Sequence, residues 1–433
     1  MERLGKLWVL WIAALAIAAG GWGRPVSAQT GGEAVVLTVD GPLTPALTTY
    51  IERSMAQAQR EEAALVILQL NTPGGQLDLM EDMVAVIRNS RTPVVVFVAP
   101  RGAIAGSAGT VITLAGHASA MAPETAIGAA SPVGGQGENL GSTLESKLKE
   151  VLKAKVRALA ANRPPEAIAL AEATIETAEA ATAEEAHAVG LVDFLAADVP
   201  DLLNQMDGFT VEVNGEARVL ATRGLTVVEV QMNLLEIVLN LLTNPNVVFL
   251  LLALGAQAIL IEISQPGGWV AGFIGAVSLA LAFYGLGVLP VNWFGIIFIV
   301  IAFALFILDI NAPTHGALTA AGAGSLIVGA LVLFNSSSTP DYFRVSVPLV
   351  VGTSLVLAAG FAALLIFALR AQYRPVVVGV ESLIGQEGEA RGPNSVQVAG
   401  ELWSAEAEEG ALEAGQRVIV TAVKGLKVVV RKR

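Results

Sequence analysis

Apolar positions follow two different rhythms along the chain. Up to about residue 207 they come as short runs, AVVLTVDG (34–41), ALVILQLN (64–71) and PVVVFVA (93–99). Each has the length and β-branching of a buried strand. Between them, 46–60 and 77–89 repeat apolar residues at helical spacing. Strand and helix alternating in this way predict a parallel sheet with crossover helices. FTVEVNGEARVLATR (209–223) adds a hairpin, because Asn-Gly sits between two alternating stretches.

Past residue 245 the apolar density rises sharply. Five stretches, about 246–264, 268–289, 291–311, 316–335 and 346–369, each approach the ~20 residues that cross a bilayer core. Within them the Gly/Ala-rich 316–330 would let helices approach closely. Segment 225–243 is interrupted by Glu229, Gln231, Asn233, Glu236 and Asn240, and reads as an amphipathic helix on the membrane surface. The polar tail returns to short strands separated by glycine turns, which predicts a small five-stranded barrel of the OB-fold kind. At the other end, Arg3 and Lys6 precede an apolar run closed by Val26-Ser27-Ala28, the layout of a secretory signal peptide.

The predicted order is therefore a signal peptide (1–28), an α/β domain (29–223), an amphipathic linker (224–245), a transmembrane region of about five helices (246–371) and an OB-fold-like all-β domain (372–433). Arg370 and Arg374 beside the last span put that end in the cytoplasm, and an odd number of spans then puts the α/β domain outside, in a multi-pass protein of a bacterial-type cell membrane.

Composition agrees with a membrane component: 54% of residues are apolar and only 15% charged. A net charge of -12 argues against nucleic acid as a partner. The absence of cysteine removes disulfides, thiol nucleophiles and Cys-zinc sites together, and three scattered histidines offer no local metal motif. No cofactor or metal is expected. Glu262 and Asp309 fall near predicted span ends, where they can reach water, so a transporter has little support.

Two turns carry candidate chemistry. NTPGG (71–75) follows a predicted strand, and its glycines can present bare N–H groups to a peptide or an oxyanion. RGAIAGSAGTVI (101–112) sets Ser107 near the start of a predicted helix, where unpaired N–H groups favour developing negative charge. Alone, each motif reads first as a structural turn. His117 lies along the same predicted helix, roughly 15 Å from Ser107 at about 1.5 Å per residue. His187 caps or packs a short helix, and His315 falls in a membrane loop, so a histidine base is not expected. A lysine can take its place as a free amine if desolvated. Segment 142–160 offers several: Lys149, Lys153 and Arg157 form a solvated stripe, whereas Lys147 and Lys155 reach the apolar face. Periodicity leaves those two open.

NTPGG, RGAIAGSAGT, SAMAPETAIGAASPVG and the lysine-bearing helix, followed by LTNPNVVFLLLALG, ISQPGGWVAGFIGAV, VGVESLIGQEGEA and GELWSAEA, resemble the NfeD family of membrane-bound, ClpP-class serine proteases in its long form. The resemblance covers nearly the whole chain after the first segment. It implies a ClpP/crotonase-like α/β protease domain, an α-helical transmembrane region and a C-terminal OB-fold domain. It also implies a serine endopeptidase with Ser107 as nucleophile and Lys147 as base, the latter by counting back from Leu159-Ala160. The oxyanion and substrate backbone would come from Gly75 (or Gly74) and Ala108. Apolar peptide segments, including those of stomatin-like membrane proteins, are the implied substrates, and a homo-oligomer of two or more copies is expected. Many relatives carry an Asn-Asp pair soon after the lysine, where this chain has Val151-Leu152 or charged residues. That departure leaves a non-catalytic membrane scaffold, partnering stomatin-like proteins, as the alternative.

Overall fold

A computed structural model describes residues 32–433 apart from 135–139, 265–267, 313, 315, 336–338, 340–342 and 373–379. The expected signal peptide (1–28), His315 and Arg374 lie outside the described residues.

Six parallel strands form the central sheet in the order Thr226–Glu229, Glu33–Asp40, Leu65–Asn71, Val94–Val98, Ala118–Met121 and Phe194–Leu195. The strand Leu65–Asn71 shows why its sequence is a continuous apolar run: Val66, Leu68 and Leu70 pack into a core on one face, Leu65 and Ile67 into a second on the other. The Pro45–Arg60 helix returns the chain from the first strand to the second, and Leu77–Arg88 from the second to the third. Thr44 caps the earlier helix by accepting from the Leu47 N–H, with Pro45 in its first turn. A smaller sheet of Ile104–Gly106, Ala126–Gly128 and Ala180–Thr182 stands beside it. The expected hairpin is Thr210–Val213 against Glu216–Val219, turning through Asn214 and Gly215, both at positive φ.

The α/β sheet does not end at residue 223. Thr226–Glu229, read from the sequence as part of the linker, pairs in parallel with Glu33–Val36 as the edge strand. Only four residues long and half exposed, it carries too weak an alternation to register as a strand. The helix Leu234–Leu241 follows, with Asn233 and Glu236 forming a capping box. Its acidic residue points inward: Glu236 is buried and bonds both carboxylate oxygens to Arg53 at 2.7 and 2.9 Å. Leu234, Leu235, Ile237, Val238 and Leu241 are exposed instead. An apolar face turned outward, three residues before a long apolar helix, is the pattern of a helix lying on a bilayer.

Helices occupy all five apolar stretches, at Pro245–Ser264, Val270–Val288, Phe294–Asn311, Ala317–Phe334 and Val347–Gln372. Among the described residues, Pro245–Ile263, Val270–Val288 and Ala317–Phe334 are long and apolar enough to cross a membrane, while Phe294–Asp309 and Val347–Ala363 are shorter apolar segments. Small residues set helix contact as the composition implied: a side chain at Gly329 would meet the Ile299 side chain at 2.8 Å and the Gly295 carbonyl at 3.0 Å. Glu262 accepts from the Trp269 and Gly272 N–H groups, and Asp309 from Thr319, so each acid satisfies the start of the following helix.

By contact, Asp309–Thr319 and Ala358–Arg433 group as a separate unit. Its C-terminal part is a closed five-stranded barrel in the order Glu387–Gly392, Ser395–Val398, Glu401–Ala407, Lys427–Lys432, Arg417–Lys424. The third and last strands in sequence pair in parallel, an OB-like arrangement around a core of Val396, Val398, Val418, Val420, Val428 and Val430.

Candidate active site

The two turns singled out in the sequence meet at the C-terminal ends of parallel strands. NTPGG leaves Leu65–Asn71, and Thr72 forms a parallel bridge to Ala105, with N–H···O contacts of 2.7 and 2.9 Å binding the two segments. Ser107 stands between the strand Ile104–Gly106 and the helix Ala108–Ala115. Its φ of 51° and ψ of -116° are strained for a residue with a Cβ, and such a conformation costs about 1–3 kcal/mol. The strand-to-helix elbow lifts the side chain clear: Ser107 is half-buried, and its hydroxyl has no hydrogen-bond partner among the described residues.

Backbone donors around it divide into used and free. The Ser107 N–H donates to the Gly128 carbonyl at 3.1 Å, and the Gly74 N–H to Thr72 Oγ1 at 3.0 Å. The Gly75 and Ala108 N–H groups have no partner among the described residues. Both residues line one cavity with Ser107. Ala108 is the first residue of its helix, where an N–H has no carbonyl a turn earlier to bond. Gly74 packs against the nucleophile candidate so closely that a Cβ there would sit 2.6 Å from the Ser107 Cβ.

Two threonines complete the elbow, and sequence reasoning passed over both. Thr110 Oγ1 donates to the Ala105 carbonyl at 2.9 Å and accepts from the Gly128 N–H at 3.0 Å, tying the Ser107 turn to the neighbouring strand. Thr72 Oγ1 does the same for the Pro-Gly-Gly turn. A buried hydroxyl three residues after the serine was the available signal, masked by how often threonine is merely a strand or helix residue.

The cavity has a volume of about 460 Å³, and among the described residues no charged side chain lines it. Lys147 does not line it and makes no hydrogen bond to Ser107; it is exposed on the helix Ser142–Leu159, next to Leu148, which with Leu152 forms part of the lining. The other cations of that helix are engaged. Lys149 pairs with Glu145, Lys153 with Glu150 and Glu176, Lys155 with Glu81, and Arg157 with Glu172. Among the described residues Lys147 alone of its lysines has no ion pair. The stripe of Lys149, Lys153 and Arg157 is thus a row of surface ion pairs rather than freely hydrated cations.

His117 is half-buried just past the C-terminal end of the Ala108–Ala115 helix, the end opposite Ser107. Burial foremost, and the nearby Arg88, lower its pKa from 6.5 to about 4. Its Nδ1 accepts the Val94 N–H at 3.0 Å, which leaves the proton on a buried Nε2 that has no partner. The neutral ring therefore belongs to the fold. Stability from this residue is complete above pH 6.5 and declines as the unfolded chain takes up a proton between pH 6.5 and about 4. The loss amounts to up to ~3 kcal/mol. Thermal unfolding of His117→Asn, which keeps an acceptor for Val94, should therefore show a smaller drop in Tm between pH 7 and pH 5 than wild type; an equal drop refutes this account. His187 lies, as expected, in a short helix, Ala183–Ala188, whose capping box is formed by Thr182 and Glu185.

Comparison with known proteins places these features in a wider set. The chain matches three family profiles in order: "NfeD1b, N-terminal domain" over residues 34–214, "NfeD integral membrane domain" over 246–367, and "NfeD-like C-terminal, partner-binding domain" over 380–432. It is 33% identical over 413 residues to the membrane-bound protease PH1510 of Pyrococcus horikoshii, covering 92% of this chain and 93% of that one. The membrane protein NfeD1b of Bacillus subtilis is 28% identical over 295 residues, 67% of this chain and 65% of that one. Among solved structures, the 1510-N membrane protease specific for a stomatin homolog from Pyrococcus horikoshii aligns over 49% of this chain and 99% of its own, at 28% identity and a TM-score of 0.42.

Proposed function

The chain belongs to the NfeD family and is a serine endopeptidase, and on that premise we propose that it works through a dyad of Ser107 and Lys147 to cut apolar peptide segments. The observation that carries the reading is the elbow: a strained Ser107 hydroxyl and two N–H groups, all without partners among the described residues, face a cavity that no described charged side chain lines. The Ser107 oxygen attacks the scissile carbonyl as Lys147 takes its proton. Gly75 and Ala108 hold the resulting oxyanion, and Gly74 keeps the approach to it open. Collapse breaks the C–N bond, the leaving amine takes the proton from Lys147, and water then hydrolyses the ester to free the enzyme.

Support for Lys147 comes from its neighbours: Lys149, Lys153 and Lys155 each hold a carboxylate, whereas Lys147 has no ion pair among the described residues. Support for an apolar substrate comes from the lining, where a charged side chain would lose its hydration without gaining a partner. A stomatin-like membrane protein fits both this chemistry and the specificity for a stomatin homolog named for the 1510-N protease. In this reading the protease domain lies outside the cytoplasm, the barrel domain inside, and the active form holds more than one copy.

The test uses the full-length protein in lipid nanodiscs with a fluorophosphonate probe. Wild type should be labelled at Ser107 and should cleave an apolar peptide, and Ser107→Ala should not be labelled. A wild-type protein that is unreactive at Ser107 overturns the nucleophile assignment.

A further inference from the structure

We infer that the membrane region builds one wall of the substrate cleft, with Phe343, Pro290 and Val288 as specificity-determining residues that select an apolar stretch adjoining a bilayer-embedded segment. The inference rests on Ser107 being the nucleophile of this cavity.

The three residues line the same cavity as Ser107, Gly75 and Ala108. None belongs to the α/β domain. Val288 ends the helix Val270–Val288, Pro290 lies two residues beyond it, and Phe343 sits between Ala317–Phe334 and Val347–Gln372. All three are half-buried, so each still has surface to offer a bound chain.

This wall is braced rather than loosely apposed. The Asn292 N–H donates to the Leu333 carbonyl at 2.9 Å, and Asn335 exchanges two hydrogen bonds with Val345 at 2.8 and 3.0 Å. The Ser346 N–H donates to Asn246 Oδ1 at 2.8 Å. The segment holding Pro290 is thus tied to the end of Ala317–Phe334, and the segment holding Phe343 is closed on itself and tied to the start of Pro245–Ser264, with asparagine side chains supplying two of the three ties. On the protease side, Thr44 both lines the cavity and donates to Asn240 Oδ1 at 3.0 Å, and Arg53 grips the buried Glu236. Those contacts fasten the Leu234–Leu241 helix, three residues ahead of the first long apolar helix, to the domain that carries the serine.

The chemistry of the occupant follows. A chain lying past Ser107 has protein backbone donors on one side and Phe343, Pro290 and Val288 on the other, with no charged side chain among the described lining residues to pair with an ionised one. Because the second wall consists of residues flanking bilayer-crossing helices, the bound stretch lies at the membrane surface, beside the point where a segment leaves the bilayer.

The experiment compares full-length wild type, Phe343→Leu, Phe343→Ala and Phe343→Glu in nanodiscs, using one apolar peptide and a matched peptide with lysine at each position in turn. KM for the apolar peptide should rise about tenfold in Phe343→Ala, less in Phe343→Leu, and most in Phe343→Glu, with kcat nearly constant. Phe343→Glu should also gain cleavage of a lysine peptide that wild type rejects. Fluorophosphonate labelling of Ser107 should keep the wild-type rate, because the small probe does not reach this wall. If Phe343→Glu loses labelling through misfolding, the ranking of the two uncharged variants decides. Unchanged KM and unchanged peptide preference with labelling intact overturn the inference alone. Absence of labelling in wild type overturns the nucleophile assignment and this inference with it.

Discussion

Ser107→Ala is expected to lower cleavage of an apolar peptide by at least ~10³-fold, Lys147→Ala to cause a loss of similar size, and Lys155→Ala to change the rate by less than about threefold. The first two act on one proton transfer, so their double variant should be little worse than either single one, since members of a catalytic unit do not contribute additively. Lys155 sits on the same helix but is held by Glu81 at 2.9 Å in a partly exposed pair. Removing it costs a surface ion pair, worth about 0–1 kcal/mol, and leaves the elbow untouched. Initial rates on the full-length protein, normalised to the folded fraction, check all four variants. Full activity in Lys147→Ala together with loss in Lys155→Ala would transfer the role of base to Lys155.

That contrast also marks how far the chemistry could be read from the sequence. Helical periodicity left Lys147 and Lys155 equivalent, because both reach the margin of one apolar face. Their difference arises from Glu81, 74 residues away in sequence and brought across by the packing of two helices. Strands were legible where burial on both faces makes the apolar run continuous, as in Leu65–Asn71, and the Asn214-Gly215 turn announced its hairpin through a conformation few other residues tolerate. The edge strand Thr226–Glu229 was not legible, since its only strong partner is Glu33–Val36 nearly 200 residues earlier. The Ser107 elbow could be located but not distinguished from an ordinary turn. What separates the two is a positive φ and a pair of unbonded N–H groups, properties of the backbone that residue identities do not encode. The contribution of Phe343 had no local signal at all, because its place in the cleft depends on the membrane helices docking against the protease domain.

Gly74→Ala should abolish most activity while leaving a folded protein. Two separate penalties act at this position. Its φ of +114° is rarely adopted by residues with a side chain, which costs about 1–3 kcal/mol wherever it occurs. In addition, the new methyl would stand 2.6 Å from the Ser107 Cβ and 3.1 Å from its Oγ. Neither partner can easily yield: Gly74 is tied by its N–H to Thr72 and by its carbonyl to the Leu43 N–H, and Ser107 is anchored through Gly128. The clash must therefore be relieved by shifting the nucleophile relative to the Gly75 and Ala108 donors, and displacement of about 1 Å at a reacting group can cost ~10²-fold in rate. Gly41→Ala separates the two penalties. Gly41 has a similar φ of +104°, but nothing within 4 Å would meet its Cβ. Both variants should lose stability in thermal unfolding, Gly74→Ala the more, whereas only Gly74→Ala should lose fluorophosphonate reactivity at Ser107. Equal reactivity in the two would mean that close packing of the Pro-Gly-Gly turn on the serine has no part in positioning it.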